Sequence, residues 1–178
     1  MSNTIKLQTP SQTIGPYFAY GLTPEQYGYN FKSWVDNNMV DASKNSEAIT
    51  IFGKVYDGEG NTIEDAMIEL WQNDGGKKLF GRQGTGTDEN NQFSFSTIKP
   101  KSIDGQAPYI NVIIFMRGQL LHSYTRIYFS DEELNHSDLT LKSIPQERQH
   151  TLIANKTSEG YEFNIHMQGV KETVFFQI

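Results

Sequence analysis

Ile49-Thr-Ile-Phe-Gly-Lys-Val-Tyr56 runs directly into Asp57-Gly-Glu-Gly60, and an apolar stretch follows from Ile63 to Trp71. The first segment is rich in β-branched and aromatic residues, which suit a pleated, half-buried strand. The second carries two glycines and an aspartate, a strong turn signal. The third puts Ala66, Ile68 and Leu70 on one face, the period-two spacing of a second strand. The same grammar continues outward. Gln92-Phe-Ser-Phe-Ser-Thr-Ile98 alternates, residues 109–116 are almost continuously apolar like a buried central strand, and residues 122–129 place Tyr124, Arg126 and Tyr128 in alternation. Residues 161–168 and 173–178 read as two last strands divided by the Gly169-Val-Lys171 turn. Gly75-Gly76 and residues 81–91 read as turns, residues 33–47 as a loop or short helix, and residues 131–135 as the one good helical candidate. Short strands at near-regular spacing with turns between them predict an all-β fold, a β-sandwich with long loops and little helix. Residues 49–178 form the expected sandwich domain, and residues 1–48 an N-terminal arm and loop segment.

Composition narrows the function. The chain has 178 residues, enough for one sizeable core. Its 9 tyrosines and 11 phenylalanines agree with a β-rich interior. A formal net charge of −6 argues against nucleic acid or an anionic membrane as the main partner. With no cysteine, disulfides, thiolate metal sites and a cysteine nucleophile are excluded. The absence of a basic start followed by an apolar run, and of any stretch near the ~20 apolar residues of a membrane helix, leads to a cytoplasmic expectation.

The residues alone assemble no catalytic constellation. His122 and His166 fall in expected strands and His136 and His150 in polar loops, with no pair at metal-ligand spacing. Gly84-Thr-Gly86 resembles the start of a nucleotide motif but lacks the third glycine and the helix after it. Thr9-Pro-Ser-Gln-Thr-Ile-Gly-Pro-Tyr17 is of a different kind. Its prolines fix φ and remove N–H donors, and each pushes the preceding residue toward extended geometry. Such a stiff peptide suits docking against something else, although a frayed terminus is the plainer reading for an arbitrary N-terminal segment. Arg117, in Met116-Arg-Gly118, ends a buried strand and on its own reads as a solvated charge.

Six blocks taken in order change that balance: TPSQTIGPY (9–17), GKVYDGEGNTIEDAMIELWQND (53–74), FSFSTIKP (93–100), APYINVIIFMRG (107–118), TRIYFSDEE (125–133) and ETVFFQI (172–178). Together they resemble the intradiol ring-cleaving dioxygenases, most closely the α-type subunit of a two-subunit member. The resemblance implies a β-sandwich and O2-dependent cleavage of a carboxylated catechol in aromatic catabolism. It also implies a ferric ion, Fe(III), held by two tyrosinates and two histidines. Hard anionic phenolate oxygens suit that ion, and imidazoles complete the shell. The matching positions here are Leu79, Ile103, Tyr109 and Asn111. Leucine and isoleucine cannot ligate, and one tyrosine makes no stable site. The expected chain is therefore an iron-free subunit with no catalytic or metal-binding residue of its own. Its cofactor would lie in an iron-binding β subunit, in a hetero-oligomer of αβ units. The same resemblance gives residues 1–48 a part in a subunit interface and places Thr13, Gly15, Pro16, Tyr17 and Arg117 in the wall of the partner's substrate pocket. Two alternatives stand beside it: a non-catalytic binding sandwich of the same fold, and a divergent homo-oligomeric enzyme whose metal site uses Tyr109 and a histidine.

Overall fold

The computed structural model describes residues 19–74 and 76–177. Nine strands among the described residues carry the fold: β1 (Ala48–Tyr56), β2 (Met67–Asp74), β3 (Lys77–Gly84), β4 (Gln92–Ile98), β5 (Ile110–Phe115), β6 (Ser123–Phe129), β7 (Ile153–Lys156), β8 (Tyr161–Glu162) and β9 (Ile165–His166). They hydrogen-bond in the order β3-β2-β5-β6-β7-β8-β1-β4, with β9 also paired to β1. Strands β3, β2, β5 and β6 form one antiparallel layer. In the second layer β4 and β1 pair antiparallel, β1 runs parallel to β8 and β9, and β7 pairs antiparallel with β8. A short parallel junction, Tyr128 opposite Ile153 and Phe129 opposite Ala154, joins the layers. Among the described residues helix is confined to single turns, α1 (Ala19–Leu22), α2 (Leu139–Lys142) and α3 (Gln146–Gln149), with several 3-10 turns. No helix among the described residues is long and apolar enough to cross a membrane.

Alternation places the core. Ile51 and Val55 of β1, Ile68 and Leu70 of β2, Phe93 and Phe95 of β4, and Val112 and Ile114 of β5 all point between the layers. The open side, between β3 and β4, is closed by the chain that precedes β1. Arg82 N–H donates to the Asp36 carbonyl, Ser96 N–H to that of Asn37, and Met39 N–H to that of Ser96. This inserts Met39 and Val40 into the core. A smaller cluster lies outside the first layer, where Tyr128 and Ala107 meet Leu141, Ile144 and Leu152 from the helical connection.

The strands at 49–56, 92–98, 109–116 and 122–129 form close to where the pattern places them. Other expectations are corrected. The second strand begins at Met67, not Ile63, because residues 63–66 are tied to Thr85 instead: Thr85 Oγ1 donates to the Ile63 carbonyl at 2.7 Å and accepts from Ala66 N–H at 3.1 Å. Residues 77–84 are the full strand β3, although 81–84 fall in a stretch that reads as turns. Residues 133–136 form a 3-10 turn, and α2 and α3 occupy a connection with no expected helix. Residues 173–177 form no strand, only an isolated bridge from Phe176 to Tyr124.

Asp131, just past β6, pins the junction between the layers. Its carboxylate accepts from Lys156 Nζ at 2.8 Å, from Lys99 Nζ at 3.1 Å and from the Tyr161 hydroxyl at 3.0 and 3.1 Å. Burial opposes ionisation there, but the two ammonium groups and the phenol outweigh it and hold the carboxyl well below the usual carboxylate range. The folded state thus favours the ionised form, so this stabilisation is complete above roughly pH 4 to 5 and is lost as pH falls below that. Asp131→Asn is expected to cost about 1–2 kcal/mol at pH 7, toward the lower end because the site is partly solvated, and a smaller but still measurable amount at pH 2, where the folded carboxyl stays largely ionised. Urea unfolding at the two pH values checks this. An equal loss at both would mean the charge plays no part.

Candidate functional site

The outer face of the first layer gathers three of the four positions matched to iron ligands. Asn111 of β5 lies opposite Trp71 of β2 on one side and Arg126 of β6 on the other. Tyr109, two residues before Asn111, shares that face. Ile103 comes up from the 99–109 loop. The three line one cleft of about 200 Å³, together with Asn73, Lys101 and Asp104. Leu79 does not join them. It sits opposite Gln72 in the β2–β3 register and points to the interior, where it belongs to the main core.

The side chains at this face are committed to one another. The Tyr124 hydroxyl donates to the Asn111 amide oxygen. The Arg126 guanidinium lies over the Tyr109 ring, its Cζ 4.1 Å from the centroid, and 5.6 Å from that of Phe176. Its Nη1 donates to Thr140 Oγ1 at 3.3 Å and to the Tyr128 hydroxyl at 3.4 Å. Burial works against the charged form, yet the Tyr128 and Tyr124 hydroxyls raise the guanidinium above its ordinary pKa, so it remains a fixed cation. Sequence alternation marks Arg126 only as a strand residue. Nothing local indicates that the fold lays it over Tyr109.

These donors do not fit a ferric ion. Two of the four matched positions are aliphatic, one of those faces the core, the amide oxygen of Asn111 is taken by a phenol, and a permanent positive charge covers Tyr109. Among the described residues no group of three or more His, Asp or Glu could hold a metal.

Arg117 stands elsewhere. It follows β5 at the end opposite to Tyr109 and Asn111, and β5 itself spans about 20 Å. Its Nε pairs with Asp65 Oδ2. Thr13, Gly15, Pro16 and Tyr17 lie outside the described residues.

No protein-family model matches the chain. Among curated proteins it is 43% identical over 192 aligned residues to the protocatechuate 3,4-dioxygenase alpha chain of Burkholderia cepacia, covering 96% of this chain and 98% of that one. The chain belongs to the protocatechuate 3,4-dioxygenase alpha-chain family. A second alpha chain of the family, from Pseudomonas putida, is 35% identical over 193 aligned residues, covering 95% of this chain and 96% of that one. Solved structures agree on the fold. The dioxygenase domain of a dioxygenase–carbohydrate-binding fusion from Streptomyces sp. SirexAA-E superposes with a TM-score of 0.58 at 22% identity, covering 83% of this chain and 95% of that one. An intradiol ring-cleavage dioxygenase from Tetranychus urticae gives 0.56 at 17%, covering 78% and 88%. Catechol 1,2-dioxygenase from Pseudomonas arvilla C-1 gives 0.55 at 17%, covering 76% and 56%. Membership in an alpha-chain family makes this chain an oxidoreductase subunit. The intradiol β-sandwich expected from the six sequence blocks is the fold observed.

Proposed function

We propose that this chain is the iron-free α subunit of a cytoplasmic, two-subunit protocatechuate 3,4-dioxygenase. The complex would cleave 3,4-dihydroxybenzoate with O2 to 3-carboxy-cis,cis-muconate in aromatic catabolism, and Fe(III) would be held by the β partner. The observation that carries this reading is the face just described, where Tyr109 lies under the Arg126 cation and Asn111 is bonded to Tyr124. A chain built this way contributes to catalysis by lending structure to a neighbour. The same geometry disfavours a homo-oligomeric enzyme that uses Tyr109 as a ligand.

Surface chemistry supports an assembled state. Trp34 is fully exposed, Phe31 and Tyr29 beside it are about half exposed, and Trp71 is 44% exposed on the outer face of β2, against Phe80 of β3. Large exposed aromatics of this kind mark association surfaces. The segment 9–17 is proposed to cover part of the same interface, with Thr13, Gly15, Pro16 and Tyr17 bordering the neighbour's pocket. Arg117 would reach that pocket too. It lies too far along β5 to serve the chain's own vacated face, and its fixed charge suits a carboxylated substrate.

Purifying the chain alone and together with an iron-binding β subunit tests the reading. The lone chain should hold no stoichiometric iron and consume no O2 with 3,4-dihydroxybenzoate. The complex should do both and show tyrosinate-to-iron absorption. Stoichiometric iron in the lone chain would refute it.

A further inference from the structure

Arg117 is held by a built scaffold whose parts the proposed function does not use. The side chain of its ion-pair partner, Asp65, is 11% exposed, whereas the Arg117 side chain is 63% exposed. The carboxylate meets the guanidinium at Nε as an ion pair, and among the described residues the two terminal nitrogens have no hydrogen bond or ion pair of their own, which leaves them available to a further acceptor. Asp65 itself cannot wander. The residues on both sides of it are tied to Thr85, which is fully buried: besides the two bonds of its hydroxyl to Ile63 and Ala66, Thr85 N–H donates to the Ala66 carbonyl at 2.8 Å.

The glycines flanking Thr85 explain the Gly84-Thr-Gly86 pattern. A Cβ on Gly86 would stand 2.4 Å from the Glu64 carbonyl oxygen, and one on Gly84 would stand 2.1 Å from the Gln26 amide. The Gly86 contact is with backbone, so only glycine lets the Asp65 loop sit down there, while Gly84 makes room for the Gln26 amide of the 3-10 turn Pro24–Tyr27. Gln26 then bridges the two, accepting from Gly86 N–H at 3.1 Å and donating to Thr23 Oγ1 at 2.9 Å. Tyr27, on the same turn, brings its hydroxyl close to Asp65 and Arg117. Burial and the Asp65 charge push that phenol up to about 12, while Arg117 pulls the other way. Tyr27 also packs edge-on against Tyr20, 4.5 Å between centroids, at the point where the described chain begins. The seat thus joins the root of the N-terminal arm to the base of Arg117.

We propose that Asp65 is a positioning residue, locking Arg117 in the orientation that presents its guanidinium to the carboxylate of an aromatic acid bound in the neighbouring subunit. The proposal rests on the reading of Arg117 as a pocket-wall residue. It adds the group that makes that arginine a rigid donor instead of a mobile surface chain, and so lowers the ordering cost of binding.

The test uses the complex with its iron-binding subunit, with iron content and subunit ratio checked for each variant. Arg117→Ala should raise KM for 3,4-dihydroxybenzoate about tenfold and leave KM for unsubstituted catechol, which has no carboxylate, nearly unchanged. Asp65→Asn should raise the same KM by roughly three- to fivefold with kcat little altered, and Asp65→Glu by less. The Arg117→Ala/Asp65→Asn pair should be no worse than Arg117→Ala alone, because both act through one group. If Arg117→Ala leaves KM unchanged, the pocket-wall reading fails. If Arg117→Ala raises KM while Asp65→Asn and Asp65→Glu do not, or if the double variant is multiplicative, the positioning role fails and the pocket-wall reading survives. Failure of both Asp65 variants to assemble would make Asp65 a folding residue and overturn the proposal.

Discussion

Gly53→Ala is expected to cost more than about 4 kcal/mol and to leave little folded protein, although the change adds a single methyl group. Gly53 lies mid-strand in β1 with its missing side chain directed at the crossing of β8 into β9. A Cβ built there would stand 1.9 Å from the Phe163 carbonyl oxygen and 2.6 Å from its carbon. The obstacle is backbone, and it cannot turn aside as a flexible side chain would. That backbone is also fastened on each side: Phe163 N–H donates to the Phe52 carbonyl at 2.8 Å, and the Asn164 side chain accepts from Lys54 N–H at 3.0 Å. Relief would require giving up the parallel pairing that joins β1 to the chain's last strands, with Phe163 and Ile165 of the core behind it. Gly21→Ala is the control. A Cβ meets nothing within 4 Å there, and this α1 position should be neutral or slightly stabilised. Urea denaturation of the two variants measures the contrast. A Gly53→Ala midpoint close to that of the wild type would show that the β1–β8–β9 crossing can slide.

Glycine also explains where sequence reading fails. Gly81 and Gly84 make residues 81–91 look like turns, yet Gly81 sits mid-strand because Met39 comes so near that a Cβ would lie 2.6 Å from its Cγ. The glycine is there for close packing, and that requirement is set by a segment over 40 residues away in sequence. The strand β7 escapes notice because it is four residues long with only Ala154 deeply buried, so no period is visible. The last residues carry a strand-like pattern but spend their bonds irregularly: Thr173 N–H donates to the His166 carbonyl, and the Val174 carbonyl accepts from Thr125 Oγ1 at 2.7 Å. Strands whose alternation reflects one buried face, such as β1, β4 and β6, are legible because burial alone dictates them. The site divides the same way. Ile103, Tyr109 and Asn111 can be placed by their neighbours in sequence, and the fold gathers them in one cleft. Arg126 over Tyr109 and Asp65 under Arg117 are contacts between distant elements and leave no local trace. Leu79 falls on the inward face because a one-residue step in a strand reverses its direction.

The second large effect falls on a buried carboxylate beside the vacated face. Asp138 is 2% exposed and caps α2, its Oδ1 accepting from Leu141 N–H at 3.0 Å and from the Tyr128 hydroxyl at 3.4 Å, its Oδ2 from Ala107 N–H at 3.0 Å. It therefore ties the helical connection to the chain entering β5, just ahead of Tyr109. Asp138→Ala leaves two buried N–H groups without acceptors and removes a helix cap. The expected loss is about 4 kcal/mol, or roughly 10 °C in melting temperature for a chain of this size. Asp138→Asn keeps one acceptor but turns an amide donor toward one N–H, and should lie about midway. Beyond the cap, the carboxylate reaches the Arg126 cation through the Tyr128 hydroxyl, so the charge that occupies the vacated face has a buried counter-charge one phenol away. Removing the carboxylate should make the guanidinium less welcome. Arg126→Met keeps the packing against Tyr109 and Phe176 without the charge, and it should cost less in the Asp138→Ala background than in the wild type, by at least about 0.5 kcal/mol. Thermal melts of the four proteins close the cycle. Costs that add to within about 0.3 kcal/mol would show that Tyr128 transmits nothing and that the two groups are stabilised separately.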